Sequence, residues 1–538
     1  MSKRFLFLVF FSILSVLLAI FTITTVSIPF TSISDFGVAS QLPWFYWGGL
    51  LVVLTMLFIA RSSKKGLSII FLLLVLYLFI IPSVVQENAT LLGLSYPAAE
   101  GQQLVDSGKL SEDLNSIYKY HNFPGFIYFT AILSSLTGIP LALICKFAPS
   151  FLTTLIAVIV YLILRTKLNY SFSIMGSLWF LASWWWVAGN YFSPQAVAFV
   201  LFALVFLIFT KFAFNPKTID RSLLIVAIIF STTIIFTHAF TSIMLLSCFI
   251  PLLFFNRKNK GVILSLFLVT FAVAYFVLRA YPFTEWALTE TSQGMTTLFS
   301  FQFRRAQLGG SISQNVTNTF RYALMFPTVF VFFASAFYTL KKKFANVEKY
   351  WLIAIIGMAL PIFVTAYGMS ETIIRVFMFA LIPLSYICVK FLAKKPKVLT
   401  LLLCLLILCN VPAHYGGSTV EGVASSEIAG AIFYVEHVPS QAPYYSLTSK
   451  TTYLMLYSSP YSVKMPTTSE NVLLPINSDE KFNAKLYQFV LYSQADVNQF
   501  LYYHDKVPLN ETKLVNFDKF YDNPFITLYT NSTYVTIL

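Results

Sequence analysis

Runs of about 20 apolar residues, separated by short polar stretches, dominate the chain up to residue 412. A helix rising 1.5 Å per residue needs roughly that length to cross a hydrocarbon core of about 30 Å. The pattern predicts transmembrane helices at 5–28, 44–61, 67–86, 140–165, 171–189, 194–213, 222–238, 240–256, 261–280, 320–340, 350–367, 372–392 and 398–412, about thirteen in all. The first follows Met1-Ser2-Lys3-Arg4 and has no small-residue cleavage site after it, so it reads as a retained span rather than a signal peptide. Two breaks are long enough to fold, at 87–139 and 281–319, and so is the tail from 413. Within the tail, SEIAGAIFYVEHV (426–438) and KFNAKLYQFVLYSQADVNQFLYYH (481–504) have helical spacing; PYYSL, NVLLPI and FITLYTNSTYVTIL read as strands, the last as a hairpin. The expectation is a polytopic α-helical membrane domain over 1–412 and a small soluble α/β domain over 413–538.

Charge gives this arrangement a direction. Basic residues cluster in alternate connections, at Lys3/Arg4, Arg61/Lys64/Lys65, Arg165/Lys167, Lys217/Arg221, Arg257/Lys258/Lys260, Lys341–Lys343 with Lys349, and Lys390/Lys394/Lys395/Lys397. Such connections stay cytoplasmic, which puts the N terminus inside and the tail outside a cell membrane. Of the 22 acidic residues only Asp220 and Glu348 then face inward, and His121, His238, His414, His437 and His504 all face outward. Four Asn-X-Ser/Thr sequons, at Asn88, Asn315, Asn510 and Asn531, fall outside and one, at Asn169, inside.

Composition agrees: 57% of residues are hydrophobic, 11% are charged, and the mean hydropathy is +0.75. Soluble domains carry about 25% charged residues. The net charge of +14 lies in the short connections, where membrane orientation explains it without a nucleic-acid partner. The five cysteines stand in apolar runs without metal-site spacing and imply neither a zinc centre nor a disulfide framework. Walker, HExxH, GxSxG and CxxC patterns are absent, which leaves nucleotide hydrolysis, zinc proteolysis and serine hydrolysis without their signatures.

Candidate chemistry gathers on the outer face. Glu87 stands where a span leaves the membrane, Glu100 and Asp106 follow on a predicted helix, and Tyr120-His121-Asn122-Phe123-Pro124-Gly125 leads into an amphipathic stretch. A carboxylate at the membrane edge is partly desolvated, a condition that makes it a better base; the alternative is a solvated loop acid. Glu371 and Arg375 are four residues apart on one helix face and can pair with each other, or Arg375 can offer its planar fork to a phosphate. His238 in FTHAFTS is either a hydrogen-bond donor to substrate or a satisfied interfacial residue. Arg304 and Arg305 attract an anionic substrate or sit among lipid headgroups. The bend WWWVAGNYFSPQ (184–195) brings Asn190, Tyr191, Ser193 and Gln195 to the same side. Its tryptophans also fit an interfacial aromatic belt.

These features together resemble the GT-C superfamily of membrane glycosyltransferases, which includes protein O-mannosyltransferases and oligosaccharyltransferase. The resemblance is carried by the acidic first large outer loop with Glu87 and Glu100, the Tyr120–Gly125 stretch with Leu136-Thr137-Gly138-Ile139-Pro140, the NYFSPQ bend, His238, and Glu371 with Arg375. It implies a polyprenyl-phosphate sugar donor, dolichyl phosphate in an archaeal or eukaryotic setting, and a glycan, lipid or protein acceptor. By the same resemblance Glu87 and Glu100 are the candidate bases, Arg375 with Arg304 or Arg305 the phosphate clamp, and His121, Asn190, Tyr191, Gln195, His238 and Glu371 the sugar contacts. Whether a divalent cation, magnesium or manganese, takes part is left open, since the superfamily has both modes. The chain departs from the pattern in lacking an Asp-X-Asp or Glu-X-Asp pair in that loop, and in placing two spans before the one matching the family's first. A lipid-linked sugar flippase or exporter is the rival expectation, and a non-catalytic surface-glycan assembly protein a third; a flippase predicts polar residues along a mid-span path, whereas here they collect at the outer ends.

Overall fold

The computed structural model describes residues 3–28, 37–61, 63–90, 94, 99–110, 119–185, 191–214, 221–255, 261–299, 312–340, 346–363, 369–416, 425–437, 444–446, 489–493, 517–523 and 526–531. It is mostly helical. The helices are α1 Lys3–Thr25, α2 Val38–Gln41, α3 Trp44–Ala60, α4 Lys64–Val75, α5 Ile81–Val85, α6 Ala99–Ser107, α7 Gly125–Thr137, α8 Leu141–Arg165, α9 Tyr170–Ser183, α10 Pro194–Phe214, α11 Arg221–Thr237, α12 Ala239–Phe255, α13 Gly261–Leu278, α14 Tyr281–Phe299, α15 Ile312–Leu340, α16 Asn346–Ala359, α17 Met369–Leu392, α18 Pro396–Tyr415 and α19 Ser425–His437.

Seven helical stretches among the described residues are long and apolar enough to cross a membrane, in α1, α4–α5, α8, α10, α15, α17 and α18. An eighth is added if the pair α13–α14, bent by 91° at its break, is counted as one span. The other predicted spans coincide with shorter helices, among them α3, α11, α12 and α16. Two predicted boundaries move. The span expected over 171–189 stops at Ser183, and the span expected from 320 starts at Ile312, inside the 281–319 break, which also contains α14.

The span leading to Glu87 shows how local chemistry shapes a helix. Between α4 and α5 the chain takes one turn of π-helix, Leu76–Ile80. Pro82 has no N–H to offer Leu78, four residues back, so that carbonyl loses its helical partner. Three carbonyls of the turn each accept from a side chain of another helix. Tyr46 of α3 donates to Tyr77 O at 2.8 Å, Tyr415 of α18 to Leu78 O at 2.7 Å, and Ser150 of α8 to Phe79 O at 2.9 Å. Tyr77 in turn donates to Ser15 O of α1 at 2.7 Å. In lipid such pairing is obligatory, because no water replaces a missing partner. Helices α1 and α3 thus brace the helix that leads to Glu87.

Helix α9 is the centre of the body and is buried continuously from Ser173 to Ser183. Asn169 caps its start, accepting from Phe172 N–H at 3.0 Å. Its end is closed twice: Trp184 N–H donates to Leu181 O at 3.2 Å, and Asn410 Nδ2 of α18 lies 3.4, 3.1 and 2.7 Å from the carbonyls of Leu181, Ala182 and Trp184. Trp179, Trp184, Trp351 and Tyr386 are fully enclosed, with Trp351 stacked on Tyr386 at 4.9 Å.

In the tail, α19 matches the predicted helix and packs on two strands of a small mixed sheet. The strands are β1 Tyr444–Ser446, β2 Phe489–Ser493, β3 Phe517–Asn523 and β4 Ile526–Asn531, in the order β1-β2-β4-β3, with β1 and β2 parallel and the other pairs antiparallel. Two expectations change. FVLYS (489–493), inside the predicted helix 481–504, is a central strand; its aromatic and β-branched residues favour a pleated surface once β1 and β4 flank it. The described hairpin is 517–523 with 526–531, and residues 532–538 of FITLYTNSTYVTIL lie outside the described residues. NVLLPI lies outside the described residues.

Candidate active site

Two helix ends and one helix face meet at one end of the helical body. Helix α10 begins at Pro194, where the missing N–H costs nothing, and Ser193 Oγ accepts from Ala196 N–H at 3.1 Å. That fixes Gln195 in the first turn, 3% exposed. From α17, Arg375 Nη1 donates to Gln195 Oε1 at 2.7 Å, and its guanidinium carbon lies 5.7 Å from the centre of the Phe240 ring. The bond fixes the amide: turned over, Gln195 would present N–H groups to a guanidinium that is itself donor-only.

His238 stands between α11 and α12. The helical backbone runs through it, His238 N–H donating to Ile234 O at 3.0 Å and Ser242 N–H to His238 O at 3.1 Å. Its Nδ1 accepts from Thr241 N–H at 3.2 Å and lies 2.9 Å from Thr241 Oγ1. A ring nitrogen that accepts carries no proton, so the neutral imidazole has its hydrogen on Nε2 and is a donor on that side. Arg375 is close enough to act on His238 electrostatically.

The segment from Ala99 to Thr137 packs against this end. Helix α6 lies on α7 at Gly101, where an added Cβ would come within 2.9 Å of Thr130 Oγ1. Close approach brings Glu100 to the turn Lys119–Asn122, where Glu100 Oε2 and His121 Nε2 are 3.1 Å apart, with the imidazole side chain 5% exposed and the carboxylate 15%. The turn is pinned further along. Tyr275 donates to Asn122 O at 2.6 Å, Phe123 sits edge-on to Phe283 at 5.0 Å, and Phe126 meets Phe192 of the bend at 4.9 Å. Gly125 packs on the end of α11, with room for no Cβ between it, Thr237 Oγ1 at 2.9 Å and Phe236 O at 3.0 Å. The Tyr120–Gly125 stretch therefore joins the Glu100–His121 pair both to the bend that carries Gln195 and to the helix break that carries His238.

Of the residues singled out from sequence, the structure brings together Arg375, Gln195 and His238 at one place, and Glu100 with His121 at another tied to it. Glu87 is exposed and engaged elsewhere: Ser425 at the start of α19 donates to its carboxylate, Asn88 donates to Ser425 Oγ at 3.2 Å, and Lys146 donates to Glu87 O at 3.3 Å. Tyr191 is half-buried at the bend. Glu371 is in the first turn of α17, its side chain outside the description, and Asn190, Arg304 and Arg305 lie outside the described residues. Sequence reading passed over Phe240 and Thr241, although the spacing of FTHAFTS places Thr241 one helical turn after His238. It also passed over Arg321, which stacks on Trp185 at 5.0 Å and donates to Ala413 O at 3.1 Å, holding the bend's second tryptophan to α18. Among the described residues no three of His, Cys, Asp and Glu gather as a metal site.

Comparison of folds gives a wide match. ArnT from Cupriavidus metallidurans bound to undecaprenyl phosphate superposes with a TM-score of 0.52 at 13% identity, over 88% of this chain and 99% of that one. The same protein in its apo state gives 0.51 at 12% identity, over 87% and 98%. The oligosaccharyltransferase of Archaeoglobus fulgidus in its apo form is looser, with a TM-score of 0.48 at 12% identity, over 88% of this chain and 75% of that one. No protein-family model matches the sequence, and no curated protein sequence does. At these identities the likeness is one of fold: the chain shares the helical fold of ArnT.

Proposed function

We propose that this protein is a membrane glycosyltransferase that moves a sugar from a polyprenyl-phosphate donor, dolichyl phosphate among them, to a glycan, lipid or protein acceptor outside the membrane. The observation that carries the reading is the meeting of Arg375, Gln195 and His238 at one end of the helical body, with the Glu100–His121 pair packed against it. A fold shared with ArnT in complex with undecaprenyl phosphate supports the class of donor.

The chemistry follows from these groups. A lipid-linked donor needs no nucleotide-binding fold, but its leaving phosphate needs a fixed cation, and Arg375 supplies one whose charge does not depend on pH. Glu100 is the base in preference to Glu87, because it is half-buried and oriented by a buried imidazole, whereas the Glu87 carboxylate is exposed and held by Ser425. Glu100 takes the proton of the acceptor hydroxyl, whose oxygen forms a bond to the anomeric carbon. The bond from that carbon to the phosphate oxygen breaks, the electron pair leaves with polyprenyl phosphate, and in-line attack inverts the centre. His238 Nε2–H and Tyr191 serve sugar hydroxyls. A magnesium or manganese ion would take Glu100 as an oxygen ligand; such ions want several oxygens, and no step here runs through one.

The finer layout belongs to the same reading. All thirteen apolar segments cross the membrane, the shorter helices being braced by their neighbours, with the N terminus cytoplasmic and residues 413–538 an extracytoplasmic domain. The test is an assay of purified protein with a panel of polyprenyl-phosphate sugars and candidate acceptors. Transfer with at least one donor is expected. Absence of transfer with every donor, together with movement of the lipid-linked sugar across protein-containing vesicles, overturns the enzyme reading.

A further inference from the structure

We infer that Gln195 binds the donor's phosphate beside Arg375, rather than a sugar hydroxyl, and so makes the first turn of α10 an oxyanion site; this rests on the lipid-linked donor reading above. Three observations lead there. First, Gln195 Oε1 is committed to Arg375 Nη1 at 2.7 Å, which fixes the orientation of the amide and leaves Nε2 as its remaining hydrogen-bonding group. Second, that Nε2 is buried and has no hydrogen-bond partner among the described residues, in a side chain only 3% exposed. A buried N–H pair that has lost water and found no protein acceptor is uncommon in native structures and points to an absent acceptor. Third, the group stands at the start of a 21-residue helix, where the peptide dipoles and open N–H groups favour negative charge.

The donor and acceptor inventory then selects the ligand. A sugar hydroxyl both donates and accepts, and is bound best where both functions are answered. Gln195, with its oxygen turned to Arg375, offers its unpartnered N–H groups, next to a guanidinium that presents hydrogens alone. Phosphate oxygens are acceptors only and carry the charge that Arg375 and the helix start attract. Arg375 in this arrangement does two things: it contributes its own charge, and by holding Oε1 it turns the amide N–H groups toward the ligand.

Gln195→Glu separates this role from a structural one. A carboxylate keeps the Arg375 contact and strengthens it, while replacing the N–H donors with an oxygen that repels phosphate. Binding of undecaprenyl phosphate and of uncharged undecaprenol is measured on the full chain in nanodiscs, with thermal unfolding as a control. The expected result is that wild type prefers the phosphate, that Q195E loses at least about tenfold in affinity for undecaprenyl phosphate, and that undecaprenol binding and unfolding temperature do not fall. Q195E binding undecaprenyl phosphate as tightly as wild type overturns the inference and leaves the donor reading standing. Wild type failing to discriminate phosphate from alcohol overturns both. Should Q195E not fold, Gln195→Met decides: it removes the donor without adding charge, and unchanged phosphate binding by that variant overturns the inference.

Discussion

Replacing Arg375 by alanine takes a fixed charge from the leaving phosphate and frees Gln195 to rotate. Charged hydrogen bonds contribute about 1.5–3 kcal/mol, so a fall in kcat/KM of roughly 10- to 150-fold is expected in the transfer assay. Lysine restores charge but not the planar fork, and recovers only part of it. Glu100→Gln keeps an acceptor for His121 yet cannot take a proton; a loss of about 100-fold or more in kcat is expected, in the range of general-base removal, with donor binding unchanged. Glu87→Gln on the same assay costs far less, since that carboxylate touches Ser425 rather than the site. Equal loss in the two variants would count against the assignment of the base. Gly125→Ala probes the contact between the Tyr120–Gly125 stretch and α11: its methyl group meets the end of α11, so turnover falls while the protein still folds.

Among the elements, the π-turn Leu76–Ile80 is the one held most visibly by others. Tyr415→Phe removes the side-chain donor to Leu78 O, and Ser150→Ala the one to Phe79 O. A lost buried hydrogen bond costs about 0.5–1.5 kcal/mol, so each variant is expected to unfold at a lower temperature than wild type in detergent, by scanning fluorimetry. An unshifted unfolding temperature in both would mean that the turn satisfies itself. Hydropathy shows the span and the proline but not this turn. A one-residue widening leaves no mark in the apolar pattern, and the tyrosines that repair it come from segments 31 and 337 residues away in sequence. The strand at Phe489–Ser493 was missed for a related reason: the periodicity of 481–504 suits a helix, and only its neighbours β1 and β4 make it a strand.

For the whole molecule the membrane sets sidedness. Single cysteines at the exposed positions Lys65 and Lys519 test it, because the native cysteines are buried or half-buried in apolar helices and react poorly. In intact cells an impermeant maleimide is expected to label the Lys519 position and to reach the Lys65 position only after lysis. Reversed labelling would place the candidate site on the cytoplasmic face and remove the extracytoplasmic acceptor with it. The start of α19 is tied to the body where Ser425 meets Glu87 and Asn88, at the beginning of the segment that carries Glu100.

Sequence by itself determined the membrane class, most helix positions, the expected sidedness, and the candidates Glu100, His121, Gln195, His238 and Arg375. These follow from the cost of charge and of open backbone in lipid, which is written locally in every segment. Tertiary structure decided which candidates belong together. Arg375 and Gln195 are 180 residues apart in sequence, and Glu100 reaches His121 only because Gly101 lets α6 lie on α7. It also drew Glu87, equal to Glu100 on sequence grounds, into a contact with the tail. Pairings of this kind depend on helix packing in three dimensions, where small residues permit close approach and a buried polar atom must find whatever partner the fold brings to it.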